Sequence, residues 1–315
     1  MKTVVVIPAY NEEKNIYGLL NDLTYVGVDI IVINDGSTDK TYEVASKFIK
    51  TYYNNSKKIN NSSNLNNLSD LDDNKNNNKN NNGNKDTNNT LDNVNGVVGY
   101  NISNNDYNVK KDNKSNEISI KLINEKKNKG KANAIKIGTE YALKNNYEAV
   151  VYMDADYQHE PYDVPKLLNL LSKKDVDAVF GVRSYSKVPF FRNITNQMAN
   201  ISISMISSHY LQKKIWLKDV QCGFKAIKLK HLADINYGNN YSLEHILTLE
   251  LLRKNIKLEQ VSISTNYHEN AVSNITFKKG AEIFLEVIKY VKKNNSCKFK
   301  CKSNYITEYE TTDKN

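Results

Sequence analysis

Only three cysteines occur in this chain, Cys222, Cys297 and Cys301. So low and odd a count excludes the disulfide framework of a small secreted domain. Cys297 and Cys301 lie in a lysine-rich tail without two further ligands beside them, so zinc is not expected there. No apolar run approaches the ~18 residues that a bilayer crossing requires. A strand pattern begins at Val4, and no signal peptide is expected ahead of it. Zinc-finger spacing, aromatic RNA-binding motifs, a basic zipper region and internal repeats are also missing. The net charge of +9 comes from lysines spread along 315 residues rather than gathered in one block. It reads as general electrostatics, with no nucleic-acid partner expected. A cytoplasmic protein is therefore expected, with peripheral contact at the cytoplasmic membrane face at most.

What is present is a globular chain with a polar diluent. Hydrophobic residues make up 39% of the sequence. Residues 54–116 are dominated by Asn, Lys, Asp and Ser, and hold too few large apolar side chains to offset the entropy of ordering. The expected organisation is one domain over 1–293, interrupted by a disordered insertion at 51–117, then a flexible tail over 294–315. Outside the insertion, strands and helices alternate. Apolar strands are expected over 3–7, 29–33, 118–123, 149–153 and 177–182, with helical spacing over 12–24, 39–49, 131–144 and 162–172. Uninterrupted apolar strands between helices predict a mostly parallel α/β sheet covered on both faces. Farther along, helical patterns occupy 190–211, 243–254 and 277–292, with a strand over 256–264.

The chemistry-bearing residues fall at the ends of these strands, where open α/β sheets bind ligands. Asp154-Ala155-Asp156 closes the fourth strand. Two hard carboxylates one residue apart suit Mg²⁺ or Mn²⁺ bridging a diphosphate, although a solvated acidic turn would read the same. If strand geometry continues, Gln158 shares their side as a neutral oxygen ligand. The first strand runs into Pro8-Ala9-Tyr10-Asn11-Glu12: Tyr10 offers a flat ring, Glu12 an acceptor for a ribose diol, and Asn11 a helix cap. The second ends in Asn34-Asp35-Gly36-Ser37-Thr38-Asp39, where Asp35 can accept a base N–H. Gly130-Lys131 opens a helix, and its free N–H groups and ammonium favour an anion.

Together these motifs resemble glycosyltransferase family 2 on the GT-A fold. Residues 154–161, Asp-Ala-Asp-Tyr-Gln-His-Glu-Pro, resemble the dolichyl-phosphate sugar synthase branch, as do residues 219–226, Asp-Val-Gln-Cys-Gly-Phe-Lys-Ala. The resemblance implies a nucleotide-diphospho-sugar transferase fold with a Rossmann-like sheet. It implies that Pro8, Tyr10, Glu12, Ile33 and Asp35 hold the nucleoside of a UDP- or GDP-sugar. Arg183 and Arg192 would grip the phosphates, Asp154, Asp156 and Gln158 would hold the metal, and Lys131 and Ala155 are further candidates for binding the cofactor. Two departures stand out. Asn34 replaces a common Asp, and Asn270 and Asn274 stand where the branch usually carries basic residues. The implied reaction is an inverting transfer to a polyprenyl (dolichyl) phosphate, with a glycan or protein hydroxyl as the alternative acceptor. A hydroxyl needs a general base, for which Asp219 and Glu244 are the candidates. A sugar-nucleotide-binding module without turnover and a polyanion-binding protein are the rival classes. The amphipathic stretch 190–211 reads equally as a membrane-surface helix or as a core helix.

Overall fold

The computed structural model describes residues 1–69, 117–184, 190–211, 214–239, 241–266 and 282–294, with backbone alone at 58–69, 190–196, 210 and 211. Two units divide the chain: Met1–Thr51 with Ile118–Asn315, and Tyr52–Glu117. The first unit begins β1 (Thr3–Ala9), α1 (Ile16–Val26), β2 (Asp29–Asp35) and the start of α2 (Thr41–Ser69). It resumes with β3 (Ile120–Glu125), α3 (Lys131–Lys144), β4 (Ala149–Tyr152), α4 (Val164–Leu171), β5 (Ala178–Arg183) and α5 (Phe190–Leu211). It continues through β6 (Lys225–Lys228), α6 (Leu243–Arg253) and β7 (Leu258–Ile263), and residues 282–294 are helical.

Helix α2 corrects one expectation. It does not stop near residue 49 but runs to Ser69, so the polar insertion opens as helix rather than as disordered chain. Ala45 and Phe48 are buried and anchor its first turns. A nucleated helix propagates cheaply, and no Gly or Pro interrupts the sequence before Gly83. The remainder, 70–116, lies outside the described residues, as do Cys297, Cys301, Asn270 and Asn274.

Seven strands form one sheet in the order β3-β2-β1-β4-β6-β5-β7. The β3-β2-β1-β4 half is wholly parallel, and β5 pairs β7 in parallel. Strand β6 runs antiparallel between β4 and β5. The sheet is therefore mostly parallel, as its apolar strands predict, with one reversed strand that the periodicity does not reveal. Lys225-Ala-Ile-Lys is too short and too polar at its ends to read as a buried strand. Helix α3 lays Ala134, Ile135 and Ala142 on Val4, Val6, Ile31, Ile33, Val150 and Tyr152, which fixes the carboxyl ends of β1, β2 and β4 side by side. A separate apolar cluster joins Ile203 of α5, Ile246 and Leu249 of α6, and Val287 and Tyr290 of the 282–294 helix.

At the far end of β5 an ion cluster ties the sheet to its connections. Asp177 accepts from His231 Nε2 at 2.9 Å and from the Lys257 amide at 3.2 Å, and Lys230 Nζ lies 3.2 Å away. Burial opposes the Asp177 charge, but these donors outweigh it and hold the carboxyl down at about 2. A depressed carboxyl stabilises the fold above its unfolded value near 4 and loses that contribution as pH falls toward 2. Asp177→Asn should therefore lower stability by about 1 kcal/mol at pH 7, a figure kept small for solvent screening. It should also flatten the acid limb below pH 4. Thermal melts of both proteins between pH 7 and 2 check this; parallel acid limbs would contradict it.

Candidate active site

The β1–α1 and β2–α2 loops are laced together at the sheet's carboxyl edge. Asn11, at φ 58°, accepts from the Thr38 amide at 2.8 Å, and its own amide donates to Ser37 Oγ at 3.0 Å. The Glu12 amide donates to Thr41 Oγ1 at 2.7 Å. Asn11 thus braces the neighbouring loop rather than capping α1. Gly36 turns at φ 65°, and a Cβ there would fall on the backbone of Lys127 and Asn128. That approach brings the Lys129 and Gly130 amides onto Asp35, at 3.0 Å to Oδ1 and 2.7 Å to Oδ2. Asp35 is buried and holds the turn that leads into α3 with both oxygens. Its carboxylate is not the open base acceptor expected from the sequence. Ile33 is likewise fully buried in the core under α3, paired in register with Pro8, so its side chain faces no ligand. Tyr10, just past β1, is 44% exposed. Asn34 donates to Asn124 Oδ1 at 2.7 Å, while its own buried Oδ1 finds no partner.

Strand geometry stops at Tyr152, and the chain turns through 155–157, with Tyr157 at φ 60°. Gln158 therefore does not continue the alternation of Asp154 and Asp156. Its amide, not its side chain, meets Asp156, donating to Oδ1 at 3.1 Å. Ala155 is buried between the two acids. Tyr157 donates its hydroxyl to Asp22, which pins the turn to α1.

Asp154 faces inward. Lys131 Nζ lies 2.7 Å from Asp154 Oδ1 and 2.8 Å from Glu244 Oε1. Lys131 is therefore a bridge between two carboxylates from β4's end and α6's start, not a free anion grip. A Cβ on Gly223 would approach Asp154 Oδ2 to 2.6 Å, so only glycine lets the 219–224 loop close over the acid. Burial works against the charges of Asp154 and Glu244, but Lys131 outweighs it and keeps both carboxyls below their usual range. Asp156 behaves oppositely. Burial, then the Asp154 charge, push its carboxyl up to about 6. Glu12 is also raised, mainly by burial and further by Asp156 and Asp154, which places it near the acidic pair. His159 is buried, stacked on Phe224 at 5.4 Å, and held neutral by burial at about 4.

Arg183 ends β5 and grips Asp219 in a fork, Nε to Oδ2 at 2.8 Å and an Nη2 donor to Oδ1 at 2.9 Å; its amide adds a third bond to Oδ2 at 3.1 Å. The Asp219 side chain is 0% exposed. Both general-base candidates are thus committed to cations: Asp219 to Arg183 and Glu244 to Lys131. A carboxylate held this way is a weak proton acceptor. The side chain of Arg192 lies outside the described residues. Among the described residues, no three His, Cys, Asp or Glu side chains gather around one point. No helix among them is long and apolar enough to cross a membrane.

A mostly parallel sheet with an exposed tyrosine just past β1 and an acidic pair just past β4 has the layout in which open α/β enzymes bind their ligands. The chain belongs to glycosyltransferase family 2, whose model, Glycosyl transferase family 2, matches residues 4–70 and 105–235; residues 71–104 of the insertion fall outside it. An uncharacterised protein of Methanocaldococcus jannaschii is 35% identical over 91% of this chain and 98% of its own length. The UDP-N-acetylglucosamine–dolichyl-phosphate N-acetylglucosaminyltransferase of Methanococcus voltae is 27% identical over 86% of this chain and 88% of its own. The fold is also that of glucosyl-3-phosphoglycerate synthase from Mycobacterium tuberculosis, crystallised with Mn²⁺, uridine diphosphate and glucosyl-3-phosphoglycerate. That structure superposes with a TM-score of 0.55 at 14% identity, covering 91% of this chain and 79% of the other. The protein is a nucleotide-sugar glycosyltransferase.

Proposed function

We propose that this enzyme moves a sugar, with inversion, from a UDP- or GDP-sugar to a polyprenyl (dolichyl) phosphate, with Mg²⁺ or Mn²⁺ at Asp154 and Asp156. The donor set fits a hard divalent cation. Asp156 is pushed up by burial and then by the Asp154 charge, both of which a bound cation would offset. When bound, such an ion supplies positive charge to the leaving diphosphate. Glu12 and Tyr10 line the nucleoside lip. Arg183, its fork squared by Asp219, would supply the cation for the phosphates.

One observation carries the choice of acceptor: the two carboxylates best placed by sequence to deprotonate a hydroxyl are both locked in ion pairs. A phosphate oxygen arrives already anionic and needs no base. The Methanococcus voltae relative, named for a dolichyl-phosphate acceptor, supports the same reading. So does α5. It buries Asn200, Ile203, Ser204 and Ser207 and turns out Met198, Ile201 and Met205, which are 63, 41 and 66% exposed. Trp216, 59% exposed, follows on a segment pinned to α5 by Ser204 and Ser208. An apolar stripe with an aromatic anchor suits reversible contact with a lipid surface.

Radiolabelled UDP- and GDP-sugars with Mn²⁺ and a polyprenyl phosphate in detergent test the proposal. The expected product is an organic-soluble sugar-lipid. Label passing instead to a soluble glycan or peptide would overturn the acceptor. Nucleotide binding with neither transfer nor donor hydrolysis would return the protein to the non-catalytic class.

A further inference from the structure

Lys225 is 1% exposed, a fully buried lysine in the middle of a sheet. It opens β6 opposite Tyr152 of β4 and Phe180 of β5. No described ion pair includes it. Its ammonium lies 4.8 Å over the Phe180 ring and donates to the carbonyls of Val220, at 3.1 Å, and Cys222. Burial of the ammonium is costly, and the Glu244 and Asp219 charges, outside ion-pair reach, offset it only in part, so an apolar side chain would fill the slot at less cost. What an apolar side chain could not do is satisfy two inward-facing carbonyls of an irregular loop. A flexible ammonium with three donors can.

The loop it holds spans 219–224. Asp219 starts it and squares the Arg183 fork; Gly223, near its end, closes on Asp154 and Lys131. From outside, Asn200 of α5 grips the same loop, accepting from the Val220 amide at 2.9 Å and donating to the Lys218 carbonyl at 2.6 Å. Lys225 is its inner anchor. We propose that Lys225 is a positioning residue for sugar transfer: by tying the Val220 and Cys222 carbonyls together, it fixes the loop that aims Arg183 through Asp219 and seats Gly223 against Asp154. This rests on the reading that Arg183 and Asp154 serve the donor diphosphate. Burial also presses the ammonium toward its neutral form, so the anchor is held at a cost the loop's geometry must justify.

The test is calorimetric titration of the full chain with UDP and with GDP, each with Mn²⁺, well below the melting temperature. The variants are Lys225→Met, Asp219→Asn and the double variant. Wild type should bind one nucleotide. Lys225→Met should fold and weaken that binding roughly ten- to a hundredfold, as loss of an outer support does. Asp219→Asn should weaken it comparably, and the double variant no further than the worse single, because both act through one arm. Wild-type affinity in Lys225→Met, or losses that multiply, would overturn the proposal. Should Lys225→Met fail to fold, Lys225→Gln keeps a donor without the charge and faces the same two outcomes. Absence of binding in wild type would instead remove the sugar-transfer reading, and this inference with it.

Discussion

Replacing Asp156 by alanine should abolish Mn²⁺-dependent nucleotide binding and cut transfer at least ~10²-fold, while leaving the metal-free protein as stable as wild type or more so. The two halves of that result have one cause. Asp156 is half-buried beside Asp154, and its carboxyl sits near 6 because burial and the neighbouring charge both oppose ionisation. A carboxyl raised above its unfolded value contributes stability at low pH and loses it as pH climbs through the folded value. At pH 7, without a cation, the ionised Asp156 is therefore a liability to the fold. Alanine removes it. A structural acid would behave the other way, with its loss lowering the melting temperature and sparing nucleotide binding. Calorimetry with Mn²⁺ and nucleotide, paired with melts in chelator at pH 5 and pH 7.5, separates the two. Binding unchanged in Asp156→Ala would count against the metal role.

Lys131→Met should cost the fold about 2–4 kcal/mol at neutral pH, toward the lower side of what an uncompensated buried charge costs because the partners are partly exposed. Lys131 stands between Asp154 and Glu244, whose side chains are 26 and 15% exposed. Removing the ammonium leaves two partly exposed acids with no cation between them. The pH dependence should invert. In wild type both carboxyls are depressed, so their contribution is present above about pH 4 and fades in acid. In Lys131→Met both would be raised, so stability should recover as pH falls from 7 toward 5. Melting curves across that range check the sign. A variant that tracks wild type at every pH would show that the bridge contributes nothing.

Much of this was readable in the residues. Helices α3 and α5 begin and end where their spacing predicts, at Lys131 and Lys144 and at Phe190 and Leu211, because apolar periodicity and flanking polar residues coincide there. Strands β1, β2 and β4 end at or just before the motifs that the sequence singles out. What could not be read was which charge neutralises which. Asp219 and Arg183 are 36 residues apart, and Lys131 and Glu244 are 113 apart. Local pattern shows only that each can ionise. Once the sheet closes, the candidate bases become salt-bridge partners. Strand β6 is not legible in the sequence because four residues beginning and ending in lysine carry no usable period. Gln158 departs from the alternation of Asp154 and Asp156 because the strand ends at Tyr152 and the chain turns abruptly at Tyr157, at positive φ. Asp35 has the residue type of a base reader, yet two backbone amides reach it first.

The central claim is that a divalent cation and a nucleotide diphosphate meet at the end of β4. A crystal soaked with Mn²⁺ and the nucleotide that binds in solution tests it most directly. The account predicts an anomalous peak at Asp154 and Asp156, with the diphosphate against it and the nucleoside along Tyr10 and Glu12. A bound nucleotide lying elsewhere, or a manganese peak remote from both acids, would contradict it.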